Sequence, residues 1–443
     1  MTDSTESTAA ATQSLDDCPL PVSVQNRNIC CFVVFWSVYY LAAPVSYVGL
    51  THANLLKALG NDDEICNYPQ AAYLWMTALP ILAAWFLPQV RYLKPLALSA
   101  IALMASITAA VAATLAGGAT SAMATNVVIA HGAVFGACNG ILLTAMWDFL
   151  RRGVSTSRRG KALGLTFGIG PLFACVGSLL QDALFGGKLL GGRSFGLTFP
   201  DNYMAMFGAV PPLLLIAAMA VALFRIPINT DASTAETPFR EIIFGLRQFV
   251  NNRNVLFGVL LYVMVYSGGN AIFPNISLQA ATVLGPDSNT LGIQSFLRFG
   301  FKAVAGVLLG LLLAAASPRA TLLATTSILL VGVTWALSSS GWWYMLTFGI
   351  MGAGELFGAY FPNYITTASS KQYVRINMAY ASVLSALTGF ASVIFGAIAK
   401  KYGLVASIYV GDRILVLALL LICLMLSANP TPKEDIPHPP DAD

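Results

Sequence analysis

Apolar runs of about 20 residues, the length of a helix that crosses a bilayer, recur along this chain between short polar turns. Twelve such runs can be drawn: 29–50, 67–88, 93–116, 122–147, 161–185, 202–225, 254–280, 290–315, 319–340, 342–367, 375–399 and 404–427. The pattern predicts an all-α polytopic membrane protein, with helices bundled in lipid rather than folded around a water-facing core. The longest internal connection, 227–250, divides the runs into a first bundle, 29–226, and a second, 251–427. Within it, "TPFREIIFGLRQFVNNR" has the start signal Thr237–Pro238, and Phe239, Ile242, Ile243, Leu246 and Phe249 fall on one face. That spacing predicts an amphipathic helix lying along the membrane surface. Residues 1–28, rich in Ser and Thr, and 428–443, rich in Pro and acid, are expected to be disordered tails.

Composition supports the membrane reading. Of the 443 residues 57% are hydrophobic and only 10% charged, with mean hydropathy +0.71, whereas an ordinary globular chain is about a quarter charged. The basic residues orient the bundle. With both tails placed in the cytoplasm, the internal loops hold fourteen Lys and Arg, and the external loops hold only Lys57, Lys188, Arg193, Lys400 and Lys401. This bias follows the positive-inside rule and predicts a multi-pass protein of the cell (inner) membrane with both termini cytoplasmic. The arginines of "MWDFLRRGVSTSRRGKALG" are expected against anionic lipid headgroups. The net charge of +4 is spread among loops rather than gathered, so no nucleic-acid partner is implied. Seven cysteines form no metal spacing, and no cofactor is expected.

The two halves repeat. "GACNGILLTAMWDFLRRGVSTSRRGKA" from Gly136 aligns with "GAGELFGAYFPNYITTASSKQYVRINM" from Gly352 at an offset of 352 − 136 = 216, pairing Asn139 with Glu355. "LLKALG", ending at Gly60, aligns with "QAATVLG", ending at Gly285, at an offset of 285 − 60 = 225. Both alignments pair span n with span n + 6, as parallel halves related by an axis along the membrane normal require.

On these features the chain resembles a major facilitator superfamily transporter over 29–427. The family's turn between spans two and three reads Gly-x-x-x-Asp-Arg-x-Gly-Arg-Lys. Here "FLPQVRYLK" keeps Arg91 and Lys94 but has Val90 at the acid and Leu93 at the glycine. The matching turn of the second half keeps Gly310 and Arg319 with Ala314 in place of Asp, and "GAIAKKYG" has Lys400 where a related turn has an acid. The resemblance implies two pseudo-symmetric six-helix bundles, alternating access, a small-molecule solute, and a cavity lined by spans one, four, seven and ten. A monomer is expected.

Ionisable residues inside spans are the strongest pointers to a transport site. Glu355 lies near mid-depth in span ten beside Gly352, Gly354 and Gly358; it is the candidate proton carrier, a fixed ion pair being the other reading. Arg298 and Lys302, at i and i+4 on one face of span eight, suit an anionic solute or serve as partners of Glu355. Candidate lining residues are Tyr262, Tyr266 and Asn270 in span seven, Tyr40 and Tyr47 around Pro44 in span one, and Asn139 in span four. His52 and His131 read as ordinary packed histidines, Asp148 as a partner of Arg151 and Arg152, and Asp412 as a neighbour neutralised by Arg413. No phosphate-cradling loop and no catalytic constellation is present, so the reading is a secondary transporter of a small polar or anionic organic solute, not an enzyme. A drug or lipid exporter on the same fold, or a non-transporting sensor, are the alternatives.

Overall fold

The computed structural model describes residues 20–79, 90–227, 238–285, 289–370 and 373–431. Residues 1–19 and 432–443 of the predicted terminal tails lie outside the described residues, as do the end of span two (80–89), residues 228–237 of the central connection, and Lys371, whereas 22–28, expected to be disordered, are helical. Among the described residues every regular element is helical. Among the described residues nine helices are long and apolar enough to cross a membrane. The other three spans are broken or partly described, and nine plus three makes the twelve.

Span 1 begins at Val22, earlier than its apolar pattern suggests, because Asn28 there is fully buried: its amide donates to the carbonyls of Gly153 and Arg225 and accepts from Arg225 N–H. It runs as Val22–Leu41, Ala43–Ser46 and Leu50–Ala58. Pro44 supplies no N–H to the ladder, and Gly49, at φ +149, takes a backbone conformation that side chains disfavour. Span 2 starts as Tyr68–Met76. Spans 3 to 6 are Val90–Ala116, Ser121–Gly153, Thr156–Phe185 and Asp201–Leu223. The central connection contains the expected helix, Pro238–Asn251. Of its apolar face Phe249 is buried and Leu246 half-exposed, while the side chains of Phe239, Ile242 and Ile243 lie outside the described residues. Span 7 is Arg253–Gly269 followed, after a break at Asn270–Ile272, by Phe273–Leu284. Spans 8 and 9 are Leu291–Ala315 and Pro318–Ser338. Span 10 is Leu346–Gly354 and Phe357–Ala368, interrupted at Glu355; span 11 is Val374–Ser385 and Thr388–Tyr402; span 12 is Leu404–Met425. Each half builds its own apolar core, one around Phe32, Phe135 and Phe207, the other around Phe273, Phe348 and Phe361.

Of the three cations kept from the signature turns, Arg91 donates to the neighbouring Tyr92 hydroxyl and the other two hold helix ends. Lys94 donates to the carbonyls of Ala222 and Phe224 at the end of span 6. Arg319 donates to the carbonyl of Leu426 at 2.9 Å, just past span 12. Their separation is 319 − 94 = 225, the repeat offset, so each half staples its last helix by a cation on unpaired C-terminal carbonyls. Neither contact uses an acid where Val90 and Ala314 stand.

The halves meet tightly at the end of the bundle away from the termini. A Cβ on Gly292 of span 8 would lie 2.4 Å from Asp182 Cα of span 5, and one on Gly389 of span 11 would lie 2.8 Å from Ala71 O of span 2. Asn67 donates to Asn275 (2.7 Å), Asn54 to Ser277 (2.8 Å), and Lys400 bridges Asp62 (3.0 Å) and Glu64 (2.9 Å) across the seam. Toward the termini the helices part. Gly168 and Gly164 continue the face of span 5 that carries Cys175 and Asp182, and Gly306 and Gly310 continue the matching face of span 8. Among the described residues, a Cβ on any of the four would have no neighbour within 4 Å. The bundle is therefore closed at its far end and open at the end where both termini lie.

Candidate functional site

The mid-depth charges come together. Glu355 sits in the turn that interrupts span 10, where Gly352, Gly354 and Gly358 weaken the helix around it. Gly352 lies directly on the carbonyl of Arg298, so only a residue without a side chain lets spans 8 and 10 approach this closely. That approach delivers Arg298 to one carboxylate oxygen as an ion pair and Lys302 to the other at 3.2 Å. Asn270, from the break in span 7, adds its amide at 3.5 Å. Both carboxylate oxygens are thus occupied as acceptors. The Arg298 guanidinium lies 4.5 Å from the Phe273 ring centre and 5.5 Å from that of Tyr47, and Lys302 Nζ lies 5.4 Å from Tyr47, a cation–π shell of the kind desolvated cations favour. Arg298 Nε is buried with no hydrogen-bond partner among the described residues.

The other half carries a neutral counterpart. Gly136 rests on the carbonyl of Tyr73 as Gly352 rests on that of Arg298. The offsets are 352 − 136 = 216 and 298 − 73 = 225, those of the two sequence alignments. Arg298–Glu355 in one half therefore corresponds to Tyr73–Asn139 in the other. Asn139 donates to the Tyr73 hydroxyl at 2.7 Å and accepts from the Tyr39 hydroxyl at 2.8 Å. Because Tyr73 accepts there, its own O–H remains free to donate elsewhere.

No family model matches the sequence, and no curated protein aligns with it. Solved structures do match in shape. The xylose transporter XylE from E. coli, in an inward open conformation, superposes with TM-score 0.65 at 12% identity over 91% of this chain and 96% of that one. A D-xylose-proton symporter gives 0.63 at 15% over 92% and 98%, and the nucleoside transporter NupG 0.62 at 11% over 91% and 99%. The chain has the major facilitator superfamily fold.

Within the major facilitator fold, the remaining residues singled out from sequence divide into two groups. Tyr47 joins the charged cluster through its ring, and Tyr40 stacks on Tyr47 at 6.4 Å. Tyr262 and Tyr266 instead pack edge to face on each other and against Phe357, with Tyr262 also against Phe361. Asp148 pairs with Arg151 and Arg152 as expected. Asp412 departs from expectation: it accepts from Thr334 at 2.8 Å, while Arg413 stands 4.0 Å away and largely exposed. His52 and His131 are not isolated. His52 Nε2 and His131 Nδ1 are 3.0 Å apart, and His131 Nε2 is 3.1 Å from Thr108 Oγ1. The Thr108 hydroxyl donates to Met104 O, so the row is satisfied by one Nε2–H on each ring, leaving His52 Nδ1 as a buried bare lone pair.

Sequence reasoning passed over Tyr39, Tyr73 and Gln70. Carrying the offset of 225 back from Arg298 finds Tyr73. Tyr39 and Gln70 carry no such signal.

Proposed function

We propose that the protein is a secondary transporter that moves a small polar or anionic organic solute by alternating access, coupled to protons through Glu355. The observation that carries this reading is the uneven charge of the mid-depth cluster. Two cations and one acid leave a formal charge of +1 in a desolvated place, which is costly without a counter-charge. Glu355 already accepts from three donors, whereas Lys302, at 16% exposure, uses one of its three donors on it, and Arg298 Nε is unpartnered among the described residues. An oxyanion on Lys302 would restore neutrality. The Tyr73 hydroxyl of the opposite half supplies a donor for a polar group at the solute's other end. Helices interrupted at mid-depth, as spans 1, 7 and 10 are, suit a site between two halves that rock around it.

On this reading the positive-inside bias makes the open end cytoplasmic. The protein works as a monomer in the cell membrane, and the structure corresponds to its inward-facing state. The shapes it shares with sugar and nucleoside transporters support a carrier, and the cluster favours acids over neutral sugars. An exporter of apolar compounds would instead need Arg298 and Lys302 turned from the cavity, and both converge on Glu355. The test is counterflow in proteoliposomes against a panel of organic acids, neutral sugars and nucleosides. Exchange of an acid that is lost in Lys302→Gln and loses its pH dependence in Glu355→Gln upholds the reading. Full-rate, pH-insensitive exchange in both variants overturns the site assignment, and binding without exchange identifies a sensor.

A further inference from the structure

A row of hydrogen bonds joins the mid-depth interruptions of spans 10 and 7 to Gln70, which packs on the interruption of span 1. Glu355, in the break of span 10, accepts from Asn270 Nδ2, in the break of span 7. Asn270 in turn accepts twice from Gln70 of span 2, at its backbone carbonyl (2.9 Å) and at its side-chain oxygen (3.1 Å). Gln70 is 2% exposed, and its Oε1 lies over Gly49, in the break of span 1, where a Cβ would stand 3.0 Å from it. That Oε1 has no hydrogen-bond partner among the described residues. The first two residues belong to one half and the last two to the other. The row touches the charged cluster by hydrogen bonds, beside the ring contact that Tyr47 of the first half makes with Arg298 and Lys302.

We propose that Gln70 is a positioning residue that ties the far-end closure of the two halves to the charge on Glu355. The inference rests on the proton-exchanging role of Glu355 stated above. A carboxylate only accepts, so Asn270 must turn its NH2 toward Glu355 and its oxygen toward Gln70. Gln70 must then offer its own NH2, which it does twice. Suppose Glu355 takes a proton from water in the cavity. The demand on Asn270 is released, and a turned Asn270 would set NH2 against NH2 at Gln70. Turning Gln70 as well would set its oxygen against the Asn270 backbone carbonyl. Each alternative brings like partial charges together in a buried place, where an unmade hydrogen bond is expensive. An ionised Glu355 anchors Asn270 by a charge-assisted hydrogen bond and a neutral one only by a weaker neutral bond, with no better orientation to turn to, so the crossing is firmest with Glu355 ionised and loosens when Glu355 is neutral. The titratable groups facing Glu355 are Arg298 and Lys302 of span 8 and the phenols of Tyr40, Tyr47 and Tyr266. Tyr68 and Tyr73 are the phenols nearest Gln70 in sequence, Tyr73 about one turn along span 2.

The test uses the full chain in lipid nanodiscs, with native cysteines replaced and spin labels at Ala122→Cys and Ser340→Cys, both exposed at the far end, one in each half. Dipolar spectroscopy then reads the separation of the halves and needs no solute. Glu355→Gln is expected to shift the distance distribution to longer values, and the same substitution on a Gln70→Met background to add no further shift. Gln70→Asn, which keeps the amide but shortens its reach, serves as a second variant and is expected to behave like Gln70→Met. Equal lengthening by Glu355→Gln with and without Gln70 overturns the proposal, as does no lengthening with Gln70 in place. Failed counterflow together with an intact distance response would overturn the transporter reading and leave this coupling standing.

Discussion

Removing the charge of Glu355 and removing that of Lys302 break the same 3.2 Å ion pair, yet the two substitutions should differ sharply in stability. At an effective dielectric constant of about 20, unit charges 3.2 Å apart attract by roughly 5 kcal/mol, and the two cations, i and i+4 on one helix and about 6 Å apart, repel by roughly 3 kcal/mol. Lys302→Gln forfeits the attraction but also relieves that repulsion and the desolvation cost of the ammonium. It leaves Arg298–Glu355 as a neutral pair, so the net loss should be about 1 kcal/mol or less. Glu355→Gln forfeits its attraction to both cations and leaves them repelling each other in a buried site. The cost should approach the roughly 3–5 kcal/mol typical of stripping one partner from a buried ion pair. Thermal unfolding of both variants in the same detergent, followed by tryptophan fluorescence, gives the order. A Lys302→Gln midpoint as low as that of Glu355→Gln would refute the charge arithmetic behind the +1 cluster.

Gly352→Ala and Gly136→Ala each force a methyl within about 2 Å of a backbone carbonyl and should destabilise by roughly 1–3 kcal/mol. Gly306→Ala, facing open space, should be neutral or stabilising by up to about 1 kcal/mol, and the three melting midpoints check the contrast. At the far end, the Ile65 N–H holds the Asp62 carboxyl, and the Lys400 ammonium the Glu64 carboxyl, below the usual carboxylate range. A lowered acid stabilises the closed form above its ordinary range and ceases to as pH falls through the lowered value. The far-end label distance should therefore lengthen below about pH 4, and Lys400→Gln should remove most of that step. Arg319→Ala frees the carbonyl of Leu426 and should cost about 0.3–1 kcal/mol, seen as faster hydrogen exchange over residues 420–428.

Spacing alone made much of this architecture legible. Apolar runs gave depth along the membrane normal, so Glu355, Arg298 and Lys302 could be placed near one level, and the offset of 216 already set Asn139 opposite Glu355. What spacing does not carry is azimuth. Lys400 reaches Asp62 and Glu64 across the seam, over 330 positions away in the chain, only because two separately packed halves close at that end. His52 and His131 looked solitary for the same reason: two helices had to be docked before the rings could meet. The interruption at Glu355 was equally hidden, since it holds no proline and the apolar pattern runs straight through it, whereas Gly268, Gly269 and Pro274 flank the one at Asn270 and signal a loosened helix.

Every formal charge of the mid-depth cluster resides in the second half, its counterpart in the first being the uncharged Tyr73–Asn139 pair. For a carrier of monovalent anions this lopsidedness has an electrical outcome. With Glu355 ionised, the loaded molecule is neutral at its centre and reorients without feeling the membrane voltage, whereas the empty one swings a single positive charge through whatever part of the field its motion crosses. A full crossing is worth about 2.3 kcal/mol per 100 mV. The unloaded return stroke is then the voltage-dependent step, and membrane potential regulates turnover without altering how tightly the solute is held.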